Sequence, residues 1–242
     1  MTHSSYNPNT RIGEIVAAQP LLARVFERVG IDYCCGGKQT LAQACTAKGL
    51  EPATVAVLLE AAGALIGSQS TVDAAHMSLT ALADHLEASH HAYLKSELPL
   101  LVEQADRVAT KHAWRDPRLT AVALTVRELA EEMFRHMAKE ESVLFPLIRE
   151  LEQRGTTRSH SGSIANPIRQ METEHDSAGG ALTRLHTLTD GFTPEADACN
   201  THRALFAGLA RLEADLHEHV HKENNILFPR AIALEETLSA RR

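Results

Sequence analysis

From Ser78 onward, apolar residues recur every three or four positions through four long stretches, the spacing that lines one face of an α-helix. The first stretch runs from about Ser78 to Ala113. The second opens at Asp116-Pro117, a capping residue followed by Pro at the first helical position, and ends near Glu150. The third covers about Pro167–Asp190 and stops at Gly191; Thr193-Pro194-Glu195 opens the fourth, which ends near Glu236. Long amphipathic helices joined by polar connections such as Gly155–Ser163 predict an all-α, up-down-up-down four-helix bundle. No stretch carries a convincing strand pattern.

Ahead of the bundle, between about Arg11 and Gly63, the pattern is finer. Ile12, Ile15 and Val16 form one apolar face, and Leu21, Leu22, Val25, Phe26 and Val29 the next. Pro20, Gly30, Gly36-Gly37, Gly49 and Pro52 punctuate them, with Gly30 where a helix C-cap wants glycine. This predicts a small helical domain over 1–66, with about the first ten residues disordered, and the bundle over 67–242. Gly63–Val72 reads as the linker.

Composition narrows the picture. The 242 residues are 44% hydrophobic but only 4% aromatic, so the core must be aliphatic, as suits helix-on-helix packing. The net charge of −7 and the absence of any Lys/Arg run exclude nucleic acid and anionic membrane as expected partners. The polar start has no signal core, and the most apolar stretch, Ala53–Gly67, is interrupted by Glu60, short of the roughly 18 residues of a membrane span. Four cysteines, two of them adjacent, do not make a disulfide framework, and the expected location is the reducing cytoplasm.

The chemistry lies in a repeat. The segment Leu129–Pro146 overlays Leu212–Pro229, 83 positions later; each carries His-x-x-x-Glu, as His136/Glu140 and His219/Glu223, and each stops at Leu-Phe-Pro. Residues four apart share one helix face, so each segment offers an imidazole and a carboxylate to one point. His91 and His175, 84 apart, extend the repeat near the starts of helices 1 and 3. In an antiparallel bundle those starts lie beside the ends of helices 2 and 4. Six residues therefore converge at one level: His91, His136, Glu140, His175, His219 and Glu223. A single His–Glu pair on a helix is an ordinary solvated face; a duplicated set in register is not. Four imidazoles and two carboxylates suit iron, or less often manganese or zinc, and two carboxylates long enough to bridge favour a dinuclear centre. Glu132 and Asp215, each four residues before a ligand His, are the expected acceptors for its other ring N–H.

The chain has 14 His. His217 and His221 flank His219 by two positions, roughly 200° round the helix, and read as a surface pair. His90, about 100° from His91, and His3, His160, His186 and His202 lie in polar contexts; His85 is peripheral. His112 follows His91 by about 31 Å of helical rise and cannot share its centre. A second candidate site is Cys34-Cys35, between a C-cap glycine and a helix expected from about Gln39. Thiols near a helix N-terminus tend to lower pKa, and adjacent cysteines can bind soft metal or close an easily reduced ring. Cys45 and Cys199 read as packing residues.

Asp32-Tyr33-Cys34-Cys35-Gly36-Gly37 ahead of His136-x-x-x-Glu140, Glu174-His175-Asp176, His219-x-x-x-Glu223 and both Leu-Phe-Pro ends resembles the repair-of-iron-centres (RIC) di-iron proteins, over about Arg11–Glu236. The resemblance implies a hemerythrin-like bundle holding two non-haem irons in an oxo- and carboxylate-bridged centre on the six residues named above. It also implies a role in restoring iron–sulfur clusters under nitrosative and oxidative stress. The implied partners are damaged iron–sulfur proteins or a cluster-assembly scaffold, with nitric oxide or oxygen as small ligands. Iron donation, with Cys34 and Cys35 as hand-off thiols, and nitric oxide handling are both compatible with it; an oxygen or nitric oxide sensor and a di-iron nitric oxide reductase are the alternatives. Ferritin-like oxidases usually space Glu and His three apart, not four. The apolar faces of the small domain raise a homodimer as an expectation. Two departures stand out: a longer loop at Thr156–Ile164, and Gly179 where the similar oxygen carriers have a second His one turn after the helix-3 ligand, which predicts a roomier, under-coordinated centre.

Overall fold

The computed structural model describes residues 6–66, 73–155 and 163–240. Among these residues the secondary structure is helical, with one isolated bridge pairing Arg11 and Thr40. The small domain contains α1 (Ile12–Ala18), α2 (Ala23–Arg28), α3 (Leu41–Ala47) and α4 (Pro52–Ile66), with 3-10 turns at Pro20–Leu22 and Gly36–Lys38. The C-cap glycine after α2, Gly30, has φ of +68°, a conformation that costs a residue with a Cβ and not glycine. The start of α3 is fixed by a capping box between Thr40 and Gln43.

Two expectations here are corrected. Residues 6–10 belong to the fold, because the N–H groups of Leu41 and Ala42 donate to the carbonyls of Thr10 and Pro8. Gly63–Ile66 is the last turn of α4 and not linker, its Ala-rich run being good helix former; the rest of that stretch, from residue 67 to 72, lies outside the described residues. So does most of the longer loop at Thr156–Ile164.

The bundle has four rods. Rod 1 joins α5 (Leu79–Leu86), a π-turn (Glu87–His91) and α6 (Ala92–His112); rod 2 joins α7 (Arg118–Lys139), a π-turn (Glu140–Leu144) and α8 (Phe145–Arg154). Rod 3 is α9 (Ala165–Leu188), and rod 4 joins α10 (Asn200–Lys222), a π-turn (Glu223–Leu227) and α11 (Phe228–Ser239). The Leu-Phe-Pro sequences do not end rods 2 and 4. Each Pro lacks an N–H and would clash with the carbonyl four residues back, at Ser142 or Asn225. Both carbonyls lie in a π-turn, whose wider spacing accommodates the ring, and the helix resumes at the Phe. Rod 4 begins at Asn200 and not at Thr193: the preceding segment is a turn in which Asp190 and Phe192 have positive φ and Arg203 donates to the carbonyls of Ala196 and Ala198.

Two apolar cores stack along the bundle. One, around Leu98, Val126, Met133, Leu182 and Leu212, fills its middle. The other, around Leu82, Phe145, Ile168, Leu227 and Phe228, fills its end. The small domain has a third core that takes in Val220 from α10. That core is closed within one chain, while Val57 and Leu58 on the outer side of α4 stay exposed.

Candidate metal centre

Between the two bundle cores lies a polar layer. His91, Glu140, His219 and Glu223 present ligand atoms all within 4.8 Å of one another, and so do His136, Glu140, His175 and Glu223. The two sets overlap in the carboxylates, both 0% exposed. His136 Nε2 lies 3.3 Å from Glu140 Oε2, and His175 Nε2 lies 3.1 Å from Glu223 Oε2. Three of the six residues begin or end π-turns: His91, Glu140 and Glu223. The extra residue rotates them relative to a regular helix and aims them at the layer.

Electrostatics keep the layer charged. Burial and the neighbouring Glu223 push the Glu140 carboxyl up, but His136 and His91 more than reverse this and hold it below the usual range. Burial also opposes charge on Glu223, yet His219 and His175 hold it well below that range. Burial disfavours the charged His136 ring, and the carboxylates of Glu140, Glu223 and Glu174 raise it to about 9.

The donor set fits iron. His91 Nε2, both Glu140 oxygens and Glu223 Oε2 are buried and make no well-formed hydrogen bond, the imidazole–carboxylate approaches among them being ion-pair contacts at 3.1–3.3 Å. Leaving such atoms unpaired is costly, and a multivalent cation in the layer satisfies all of them at once. Imidazole and carboxylate together are borderline ligands of the kind iron takes.

The residues that orient the rings differ from those expected. The Nδ1–H groups of His91, His136 and His175 donate to Glu141 Oε1 at 2.8 Å, Glu174 Oε2 at 3.0 Å and Asn224 Oδ1 at 2.8 Å. Glu132 is not among them, and Asp215 serves His90 instead, at 2.8 Å. A residue four positions away lies on the same rod, whereas each ring crosses toward a neighbouring one. The true acceptors each sit directly beside a ligand in sequence (Glu141, Glu174, Asn224), turned about 100° toward the next rod. That adjacency was the available signal. Two phenylalanines also escaped notice: Phe145 and Phe228, from the two Leu-Phe-Pro sequences, stack on His91 at 5.6 Å and His175 at 6.0 Å.

Other histidines fall differently too. His221 is buried and, with His217, packs on Tyr33 at 5.5 and 6.2 Å, so the expected surface pair is an interdomain contact. His90 and His202 are buried rather than solvated. His112 ends the uninterrupted α6, and its Nε2 lies 3.3 Å from Cys199 Sγ; Cys199 is exposed and not a packing residue, whereas Cys45 is fully buried.

The cysteine pair abuts the bundle. Asp32 Oδ1 accepts the N–H groups of Cys34 and Cys35, both at 3.0 Å, and the Cys34 thiol at 3.1 Å. The two sulfurs are 3.9 Å apart, and the Cys35 thiol donates to the carbonyl of His175 at 3.7 Å. Asp32, Cys34 and Cys35 form a third group of donors close enough for one ion. The expected low thiol pKa is not found: Cys35, burial and Asp32 push Cys34 well above the ordinary value. The element that directly follows the thiols is the single 3-10 turn Gly36–Lys38, and α3 begins only at Leu41. The sulfurs line a half-open cavity of about 660 Å³ between α9 and α10. Gly179 borders it too: a Cβ there would lie 3.8 Å from Cys35 Sγ, so the space left by the missing side chain faces the thiol.

Residues 82–231 match the hemerythrin HHE cation binding domain, and residues 8–63 match ScdA_N, a domain of unknown function (DUF542). The iron–sulfur cluster repair protein YtfE of Enterobacter sp. (strain 638) is 39% identical over 227 residues, covering 93% of this chain and 97% of that protein. The chain belongs to the repair-of-iron-centres family. Proteins of the same name from Musicola paradisiaca (strain Ech703), 38% identical over 91% of this chain and 95% of theirs, and from Yersinia pestis (strain Pestoides F), 37% identical over 93% and 97%, also match. The hemerythrin-type domain implies iron binding. No described helix is long and apolar enough to cross a membrane.

Proposed function

We propose that this protein holds two iron ions between His91, His136, Glu140, His175, His219 and Glu223, and supplies iron to iron–sulfur clusters damaged by nitrosative or oxidative stress. The observation that carries the reading is the sharing of two buried carboxylates by two overlapping four-donor sets. Glu223 turns one oxygen to each set, Oε1 to His219 and Oε2 to His175, both at 3.1 Å, and Glu140 Oε2 lies 3.3 Å from both His91 Nε2 and His136 Nε2, so each carboxylate reaches both sets, as bridging two ions would require. The name of the similar proteins, iron–sulfur cluster repair protein, supports the cluster as the client. On this reading the partners are damaged iron–sulfur proteins or the scaffold on which clusters are assembled, in the cytoplasm.

When bound, the iron pair also supplies a site for nitric oxide or oxygen. The chain's own residues favour donation over a dedicated enzymatic role. Cys34 and Cys35 stand at the backbone of the ligand helix α9, beside an open cavity, with Asp32 as a third donor. Soft thiolates suit iron in transit. The raised Cys34 pKa keeps that residue a thiol at rest, so a metal must displace its proton to be held there, which suits transient occupancy.

Reactivation of a damaged iron–sulfur enzyme by the iron-loaded protein tests this. Activity should return in proportion to iron lost from the protein, without added iron. Nitric oxide consumption with reductant, in the absence of iron transfer, would favour the reductase reading instead.

A further inference from the structure

The two donor sets differ in what lies behind them. On the His136/His175 side both rings are anchored, through Glu174 and Asn224. On the His91/His219 side only His91 is, through Glu141. His219 Nδ1 is buried and has no hydrogen-bond partner. The His219 ring is flanked by His91, edge-on at 5.1 Å, and by His90, whose ring lies parallel to it at 5.3 Å and 2°. Both nitrogens of His90 are already engaged: Nδ1–H donates to Asp215 Oδ1 at 2.8 Å, and Nε2 accepts from Lys222 Nζ at 2.9 Å. Lys222 is itself held in place, because its remaining donors reach His85 Nε2 at 3.1 Å and Glu218 Oε1 at 2.8 Å. Lysine has three donors and all three are used. The clamp therefore fixes His90 as a stacked neighbour that gives His219 no acceptor.

A ligand imidazole whose second nitrogen donates to an oxygen is fixed in orientation and more basic, and loss of that partner typically lowers metal affinity 10–100-fold. Glu140 and Glu223 are common to both sets, so they do not discriminate. The difference rests on His219.

We propose that the two metal positions are unequal, and that the ion held by His91, His219, Glu140 and Glu223 is the labile one, given up first, while the ion on His136 and His175 is retained. The inference rests on the di-iron reading and deepens it, naming which iron is cargo. It does not depend on the thiols, since Cys35 touches the backbone of His175 and no ligand atom.

The test is iron release from the full chain, loaded with ferrous iron without oxygen and mixed with excess ferrous chelator. Wild type should release iron in two phases of equal amplitude, with rates differing by about 10–100-fold. Glu174→Met, which removes the His136 acceptor at similar volume, should accelerate only the slow phase by a similar factor. Glu141→Met, its counterpart behind His91, should accelerate only the fast phase. Two irons leaving in a single phase would overturn the proposal, as would a Glu174→Met protein whose fast phase alone changes. Fewer than two irons per chain at the outset would instead refute the di-iron reading on which it stands.

Discussion

Replacing Gly37 with alanine should detach the cysteine loop from the bundle while leaving the metal centre whole. A Cβ at Gly37 would fall 2.1 Å from Asn225 Oδ1 and 2.7 Å from Cγ and Nδ2, nearer than non-bonded atoms approach. The Asn225 side chain must move, and its donated hydrogen bonds to the carbonyls of Cys34, at 2.9 Å, and Tyr33, at 3.3 Å, go with it. Two such bonds at about 0.5–1.5 kcal/mol net each give a loss of roughly 1–3 kcal/mol. For a chain of this size that is a fall in Tm of roughly 2–12 °C. Asn225 shares its π-turn with Glu223, but its amide points at the small domain, so iron content should hold near the wild-type value. Client reactivation should slow, because Cys35 no longer has a fixed place beside His175. Denaturation midpoint, iron content and reactivation rate are measured for Gly37→Ala, Asn225→Ala and the double variant. Asn225→Ala already lacks both bonds and makes room for the methyl, so the double variant should be no less stable than Asn225→Ala alone. A double variant that loses the sum of the two single losses would refute the reasoning, since the methyl would then act through something other than Asn225.

Glu140→Ala or Glu223→Ala should lose most bound iron, measured by metal analysis, because each carboxylate serves both donor sets; His112→Ala, at the far end of α6, should keep it. Gly179→Ala should be accepted, its Cβ making ordinary contact with Cys35 Sγ at 3.8 Å, and should gain about 0.5–1 kcal/mol in denaturation from helix propensity. Gly179→His should crowd Cys35 and slow client reactivation with iron content held; tighter iron retention would mean that the ring reaches the centre instead. The Cys34→Ala/Cys35→Ala double variant should bind iron as wild type does and reactivate a damaged iron–sulfur enzyme slowly, and normal reactivation would reduce both cysteines to packing residues.

The rods were legible because apolar periodicity is a local record of which face is buried, and four long runs of it leave few ways to pack. The convergence of the six donors was legible because a tandem repeat doubles the signal of one His-x-x-x-Glu pair. What stayed hidden depends on register between rods. The acceptors Glu141, Glu174 and Asn224 are marked in the sequence only by standing next to a ligand; which ring each one serves is set by the neighbouring rod, and no spacing along one helix records that. His90 reads as a polar-context residue for the same reason: the partners that bury it, Asp215 and Lys222, come from another rod. The π-turns were half visible. Pro146 and Pro229 mark two of them, but nothing in the local sequence announces the third at Glu87–His91. Asn225 was invisible, since its role depends on Gly13 and Gly37 leaving room for one side chain across a domain boundary.

The central claim is that Glu140 and Glu223 join two donor sets into one dinuclear centre. Anaerobic titration of the metal-free protein with ferrous iron, followed by oxidation and absorption spectroscopy, tests it most directly. Two irons should bind per chain, the oxidised protein should show the bands of an oxo-bridged pair, and Glu140→Ala should abolish both. Saturation at one iron per chain, or two irons without bridge bands, would contradict the shared-carboxylate centre.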